Sequence, residues 1–218
     1  TDRIAAIHAR ESAIYAAARP RGVAAARGMD NYLGRVPMHW MADWPMPFPL
    51  HVDRASGARL TDIDGITLDD FCLGDTGSMF GHSPAPVVRA IRRQAGRGLA
   101  TMLPGEDALA VGRLLSERFD MPIWQGATTA TDANRFALRG ARAAAGRARI
   151  LVFDGCYHGT VDETFVELDG AGRPRNRAGM VGEWRDLTAF TRVVPFNDLE
   201  ALEDALSARD VACVITEP

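Results

Sequence analysis

Residues 126–159 read GATTATDANRFALRGARAAAGRARILVFDGCYHG. The segment joins a small, hydroxyl-rich turn to a stretch with helical spacing at residues 131–145, and then to an apolar run at 150–153 closed by Asp154-Gly155. Turn, helix, buried strand and turn in that order make up the repeating unit of a sheet whose strands run parallel. The flanking sequence continues the pattern. Helices are predicted at residues 85–94, 106–119 and 198–207, the last with Asn197 and Glu200 at near capping-box spacing. Strands are predicted at Ile123, at Val193 and over residues 211–215. Alternation of this kind predicts an α/β protein with a mainly parallel sheet and helices on both faces.

Upstream of residue 85 the pattern differs. Residues 3–18 carry apolar positions at helical spacing and predict an N-terminal helix that ends before the Arg19-Pro20-Arg21-Gly22 breaker, with irregular chain after it. The segment MHWMADWPMPFP at 38–49 sets three prolines among Trp40, Trp44 and Phe48. It is too Pro-rich for a helix and too aromatic for a mobile linker, so it is expected to pack against something, a partner subunit included. Short strands forming a small β-hairpin segment are predicted at 50–53, 59–62 and 67–71, with turns at Ser56-Gly57 and Asp64-Gly65. The domain boundary is placed at residue 84. Residues 1–84 form an N-terminal segment, and residues 85–218 form the first part of a larger α/β domain, because the sequence stops in a strand-to-loop transition. Residues 169–185, rich in Gly and Arg, predict a long surface loop.

Composition excludes several classes. At 47% hydrophobic and 24% charged, the 218 residues match a globular protein with a sizeable core, and a formal net charge of −3 gives no footprint for nucleic acid or an anionic membrane. Arg89, Arg92, Arg93 and Arg97 read as a solvated helix face, since no aromatic stacking residue is interleaved with them. Three cysteines, Cys72, Cys156 and Cys213, are odd in number and widely spaced, which argues for a reducing compartment; two of them read as strand-core residues. No apolar stretch is long enough to span a bilayer and no signal-peptide pattern opens the sequence, so the expected location is the cytoplasm.

Chemistry concentrates at three places. In the turn at 126–134, a helix N-terminus presents unpaired N–H groups and a positive dipole end. A phosphate held there, with the Thr129 and Thr131 hydroxyls assisting, is one reading; a plain threonine helix cap is the other. Tyr157 and His158 follow the strand at 150–153, where the carboxyl ends of parallel strands border a ligand crevice. They would stack on or hydrogen-bond a planar ring, or simply plug the turn. Cys156 and His158 lack a second pair at ligand spacing, so no metal site is expected. Glu217, at the carboxyl end of the strand at 211–215, is placed to act on a ligand by position alone.

In this order and spacing the pieces resemble the class III aminotransferases, a subgroup of the fold-type I pyridoxal-phosphate enzymes that includes glutamate-1-semialdehyde aminomutase. The resemblance runs from near Leu60 to the last residue. Thr61-Asp62-Ile63-Asp64-Gly65 with Leu68-Asp69-Asp70-Phe71 resembles the family's Asp-Gly hairpin and Asp-Phe strand. Gly81-His82-Ser83-Pro84 resembles its Gly-His-x-x-Pro helix start. Thr129-Ala130-Thr131-Asp132-Ala133 stands where the family reads Ser-Gly-Thr-Glu-Ala and binds the cofactor phosphate. Tyr157-His158-Gly159 matches its Tyr-His-Gly, whose aromatic ring stacks on the pyridine, and Glu217-Pro218 matches its Glu-Pro turn beside the cofactor. Two departures stand out. Ala130 replaces a glycine, which matters if the backbone there needs φ > 0, and Asp132 is one methylene shorter than glutamate.

The resemblance implies a fold-type I PLP-transferase architecture, with pyridoxal 5'-phosphate bound through Thr129, Ala130, Thr131, Tyr157, His158 and Glu217. It also implies transfer of an amino group between an amine or amino acid and a carbonyl acceptor, by an aminotransferase or aminomutase acting as a homodimer. The Schiff-base lysine does not belong to this stretch. All 25 members of the Lys+Arg total are Arg, so no catalytic residue is assigned among the 218 and the lysine is expected further along the chain. The alternative is a non-catalytic, lysine-lacking homologue or half-subunit that binds a phosphorylated ligand or a partner chain. Asp75 stands where the aminomutase carries an aromatic residue. Facing a pocket, it would favour a substrate amine or hydroxyl and repel a second carboxylate; beside Gly74 and Gly77, it would cap a turn.

Overall fold

A computed structural model describes residues 2–217. The chain divides into two compact units, Thr1–Leu103 and Pro104–Pro218.

In the first unit, α1 (Asp2–Ala17) and α2 (Pro20–Arg27) lead through two short 3-10 turns to an antiparallel meander of β1 (Val52–Ser56), β2 (Arg59–Asp62) and β3 (Thr67–Asp69), followed by α3 (Ala85–Ala95). Pro20 is not a breaker. It occupies the first turn of α2, where its missing N–H has no partner to lose and its fixed φ suits the helix, so the chain after Arg19 is helical rather than irregular.

Asp62 fixes this arrangement. Its Oδ1 accepts from the N–H groups of Asp64 and Ile66 at 3.0 and 2.8 Å, closing the Asp-Gly turn, while its Oδ2 accepts from Arg19 Nε at 2.9 Å. Asp64 in turn accepts from the backbone N–H groups of Arg21 and Gly22, both at 2.8 Å, and so covers the first turn of α2. The Arg19 guanidinium lies 4.1 Å from the centre of the Tyr15 ring, and Tyr15 packs on Phe48 with ring centroids 5.0 Å apart. The aromatic segment therefore folds back on α1 of its own unit, with Trp40 against Trp44 at 5.3 Å. No residue of α3 is buried, in keeping with a solvated basic face.

The second unit holds α4 (Asp107–Phe119), α5 (Ala130–Ala145), β4 (Arg149–Phe153), β5 (Val166–Leu168), β6 (Pro174–Asn176), β7 (Thr191–Val194), α6 (Leu199–Ser207) and β8 (Val211–Val214). Three strands form a parallel sheet in the order β7-β4-β8. Ile150, Leu151 and Val152 of the central strand are all 0% exposed. The two-residue period of the strand divides them: Ile150 and Val152 join Leu138 of α5, Val161, Val166 and Leu187, whereas Leu151 joins Val194, Val211 and Ala205 of α6. Helices thus cover both faces, as predicted. Each such aliphatic side chain contributes roughly 1.5–3 kcal/mol by burial, which makes β4 the strand the unit packs around.

Four sequence expectations need correction. Ile123 lies in no strand; it is an isolated apolar position, 86% exposed, with no alternating neighbours. The cap of α6 is Asp198 rather than Asn197: Asp198 Oδ1 accepts from Ala201 N at 3.0 Å, and Asn197 takes a left-handed φ of 63° that leads the chain into the cap. Residues 169–185 are not one loop, because β5 and β6 pair antiparallel around a turn in which Asp169 accepts from Ala171 N and Arg173 N. Pro174 opens β6 in this two-stranded ribbon, a position where a strand tolerates a missing donor. Finally, one of the three cysteines rather than two lies in a strand: Cys213 belongs to β8, whereas Cys156 is buried in the turn after β4 and Cys72 is exposed beyond β3. Among the described residues no helix is long and apolar enough to cross a membrane.

Replacing Arg19 by Ala leaves Asp62, only 2% exposed, without its cation. The expected loss is about 3–5 kcal/mol, read as a lower urea midpoint from tryptophan emission. Arg10→Ala, which removes an exposed pair with Glu11, should cost less than about 1 kcal/mol. Equal effects of the two would refute the role given to Asp62.

Candidate functional site

β4 ends at Phe153, and the chain turns through residues 154–159 at the carboxyl end of the sheet. Asp154 Oδ1 accepts from Leu168 N at 2.9 Å, fastening β5 across this end. The turn then meets the start of α5. Thr131 Oγ1 accepts from Thr160 N at 3.0 Å, Asn134 Nδ2 donates to His158 O at 2.9 Å, and the Arg135 guanidinium donates to Thr160 O at 2.7 Å. The approach is very close. A Cβ on Gly159 would lie 2.2 Å from Thr131 Oγ1 and 3.1 Å from Thr131 Cα, and Gly159 has φ +79°. Space and backbone conformation both require glycine there.

At the helix start, Thr129 is the N-cap. Its Oγ1 accepts from Asp132 N at 3.1 Å and donates to Asp132 Oδ2 at 2.9 Å, so the shorter acidic residue still closes a capping interaction. The Thr129 hydroxyl is committed to the cap. That of Thr131 accepts from Thr160 and keeps its own proton to donate. The N–H groups of Ala130 and Thr131 have no carbonyl a turn behind them and are the free donors at the positive end of the helix dipole. Ala130 is helical, so alanine brings no backbone strain at a position where glycine was anticipated.

Tyr157 is 62% exposed, while His158 is 5% exposed and its Nε2 has no partner. Burial lowers the His158 pKa, the Glu217 carboxylate opposes this and the Arg177 guanidinium adds to it, leaving a neutral imidazole at pH 7. Burial pushes the Cys156 thiol up, away from thiolate reactivity. Glu217 borders a cavity of about 160 Å³ shared with Asp154, Cys156 and Thr216 at the carboxyl ends of β4 and β8. Pro218 lies outside the described residues. A larger hollow of about 520 Å³ touches Arg149, Arg192 and Asp204, but Arg149 and Arg192 are already paired with Asp210.

In the first unit, Asp75 adopts φ 49° and accepts from Cys72 Sγ at 3.4 Å; among the described residues it caps no backbone group. The capping belongs to Asp70, which accepts from Cys72 N and Leu73 N at 2.9 and 3.0 Å and pairs with His82 Nε2 at 2.6 Å. The bond to His82, then those from the N–H groups, hold the Asp70 carboxyl below its ordinary pKa. Asn134, Arg142 and Arg177 were not singled out from sequence; Arg142 is tied to Ala148 O and Glu163.

The profile of the family described as aminotransferase class-III matches residues 40–218. Among curated relatives, glutamate-1-semialdehyde 2,1-aminomutase of Ignicoccus hospitalis is 33% identical over 175 residues, covering 79% of this chain and 41% of that protein. Among solved structures, a glutamate-1-semialdehyde aminomutase from Pseudomonas aeruginosa PAO1, also solved in complex with PMP, superposes with TM-score 0.94 at 49% identity over 100% of this chain and 48% of that one. An omega-transaminase from Sphaerobacter thermophilus superposes with TM-score 0.79 at 29% identity, covering 90% of this chain and 47% of that one. The chain spans about two fifths of the length of the curated relatives it matches. The architecture is that of the fold-type I enzymes these neighbours represent.

Gly159→Ala is expected to destabilise by at least ~1–3 kcal/mol, the range for a strained backbone, and Thr131→Ala by about 1 kcal/mol. The double variant should lose less than the sum, because removing the Thr131 hydroxyl relieves the overlap; strict additivity in denaturant titrations would contradict the contact. Asp70, with its pKa depressed, contributes stability above the ordinary aspartate value that is lost as pH falls through the lowered folded value. Asp70→Asn should therefore flatten the fall in stability below about pH 5, and an unaltered acid limb would speak against this pairing.

Proposed function

The chain belongs to the class-III aminotransferase family, and on that premise we propose that the protein is a pyridoxal 5'-phosphate-dependent aminotransferase or aminomutase, moving an amino group between an amine or amino acid and a carbonyl acceptor. The observation that carries the proposal is the contact of Gly159 with Thr131. It joins a helix N-terminus with free N–H donors and a turn with an exposed aromatic ring into one piece at the carboxyl end of β4. The names of the relatives, and the PMP complex of the Pseudomonas aeruginosa protein, support the same reading.

The residues present suit such a cofactor. The N–H groups of Ala130 and Thr131, with the Thr131 hydroxyl, donate to the phosphate, while Thr129 acts through the cap that holds this turn. Tyr157 offers its face to the ring, and the unpartnered, neutral His158 Nε2 lies in the same turn. Glu217 adds a carboxylate from the end of β8. When bound, the cofactor supplies the electron sink for chemistry at the carbon bearing the amine. The 218 residues hold no lysine, so imine formation must draw on a residue outside them. For Asp75 as a substrate contact favouring an amine or hydroxyl, support comes from the sequence correspondence alone. The assignment of residues 1–84 to an N-terminal segment and 85–218 to the cofactor-binding domain, homodimeric assembly and a cytoplasmic location belong to the same proposal.

The test is the absorbance spectrum and intact mass of the full-length protein with pyridoxal 5'-phosphate, before and after borohydride. A visible band lost on reduction, with the mass raised by one phosphopyridoxyl group, is expected. Tyr157→Ala should weaken cofactor binding about tenfold or more, in line with a lost stacking interaction. Absence of both band and mass increase would overturn the assignment.

A further inference from the structure

Arg177 follows β6 and reaches back to the turn that carries Tyr157. Its own N–H donates to Phe165 O at 2.9 Å, which extends the β5–β6 pairing by a residue, and its guanidinium lies 5.8 Å from the Phe165 ring. From that anchored position it donates to the carbonyl of Cys156. On the other side of Tyr157, Asn134 of α5 donates to the carbonyl of His158 at 2.9 Å. The carbonyls of the residues before and after Tyr157 are thus held by side chains from two different elements, while the ring between them stays exposed. Cys156 and His158, the neighbours of Tyr157, are both buried, and the Arg177 charge bears on both of them, as does the opposite charge of Glu217.

We propose that Arg177 is a positioning residue for the cofactor ring: with Asn134 it fixes the carbonyls on either side of Tyr157, sets the aromatic face before anything binds, and makes the β5–β6 hairpin part of the site. The proposal rests on the reading of Tyr157 as the ring-stacking residue. A hydrogen bond from a guanidinium to a carbonyl in a partly buried turn is stronger than a neutral one, so its loss is measurable locally. The hairpin holds the guanidinium through the main chain of Arg177, so the length of the side chain sets where the turn sits. Lysine at this position would keep one donor and the charge but lose the fork.

The full-length protein is compared with its Arg177→Ala and Arg177→Lys variants by two measurements. The first is hydrogen–deuterium exchange over residues 155–160 without cofactor. The second is the affinity for pyridoxamine 5'-phosphate, followed by quenching of protein emission; this probe needs no lysine to bind. Arg177→Ala should speed exchange at 155–160 and weaken the probe's binding, each about tenfold, with exchange in β7 and β8 unchanged. Arg177→Lys should recover part of both. If Arg177→Ala also loosens β7 and β8, Arg177→Gln replaces it in the comparison. Unchanged exchange over 155–160, or unchanged affinity despite faster exchange, would overturn the proposal. A wild-type protein that ignores the probe would remove the cofactor reading instead, while exchange would still decide whether Arg177 holds the turn.

Discussion

Strand β4 has no face left for water. Ile150 and Val152 belong to one buried cluster and Leu151 to the other, so the strand lies between α5 and α6, and any shift of register by one residue would exchange the two clusters. The point at which the chain leaves the sheet is fixed as a result. Asp154 is the first residue past the strand, and its carboxylate is spent on holding β5. The chain is captured again at Val161, fully buried beside Leu138 of α5. Between these anchors the turn is obliged to pass the N-terminus of α5, and the contact of Gly159 with Thr131 is where it does so.

Both units close loops with carboxylates that gather backbone N–H groups. In the first, Asp62 and Asp64 organise the hairpin and the start of α2, and Asp70 organises the turn that leads to Asp75; in the second, Asp154, Asp169 and Asp198 act in the same way. The second unit also has guanidinium groups that gather carbonyls. Arg135 takes Thr160 O, Arg142 takes Ala148 O, Arg147 takes Val211 O and Arg177 takes Cys156 O. A sequence whose cations are all arginine suits this use, because a planar fork keeps spare donors after a first bond is made.

What the sequence disclosed follows from range. The apolar run at 150–153 and the alanine- and arginine-rich stretch before it obey local periodicities, and both elements appear where those periodicities put them. Pro20 misled because proline ends an element only in its interior; at the first turn of α2 it is admitted, as Pro174 is at the opening of β6. Asn197 and Asp198 are both competent caps, and the choice fell to the φ each adopts, which no pairwise spacing encodes. The site divides the same way. Thr131, Tyr157 and His158 are candidates by type and order, whereas the bonds of Asn134 to His158 and of Arg177 to Cys156 join residues more than 20 apart in the chain and are set by packing.

The meeting of Gly159 and Thr131 also constrains how such a sequence can change over generations. A side chain at 159 becomes sterically tolerable only once the hydroxyl at 131 has gone, and the positive φ at 159 would still resist it. Losing the hydroxyl first frees the Thr160 amide and strips the helix start of its remaining side-chain donor. Either order of substitution passes through a damaged ancestor, so two positions separated by a helix and a strand are inherited as though they were one.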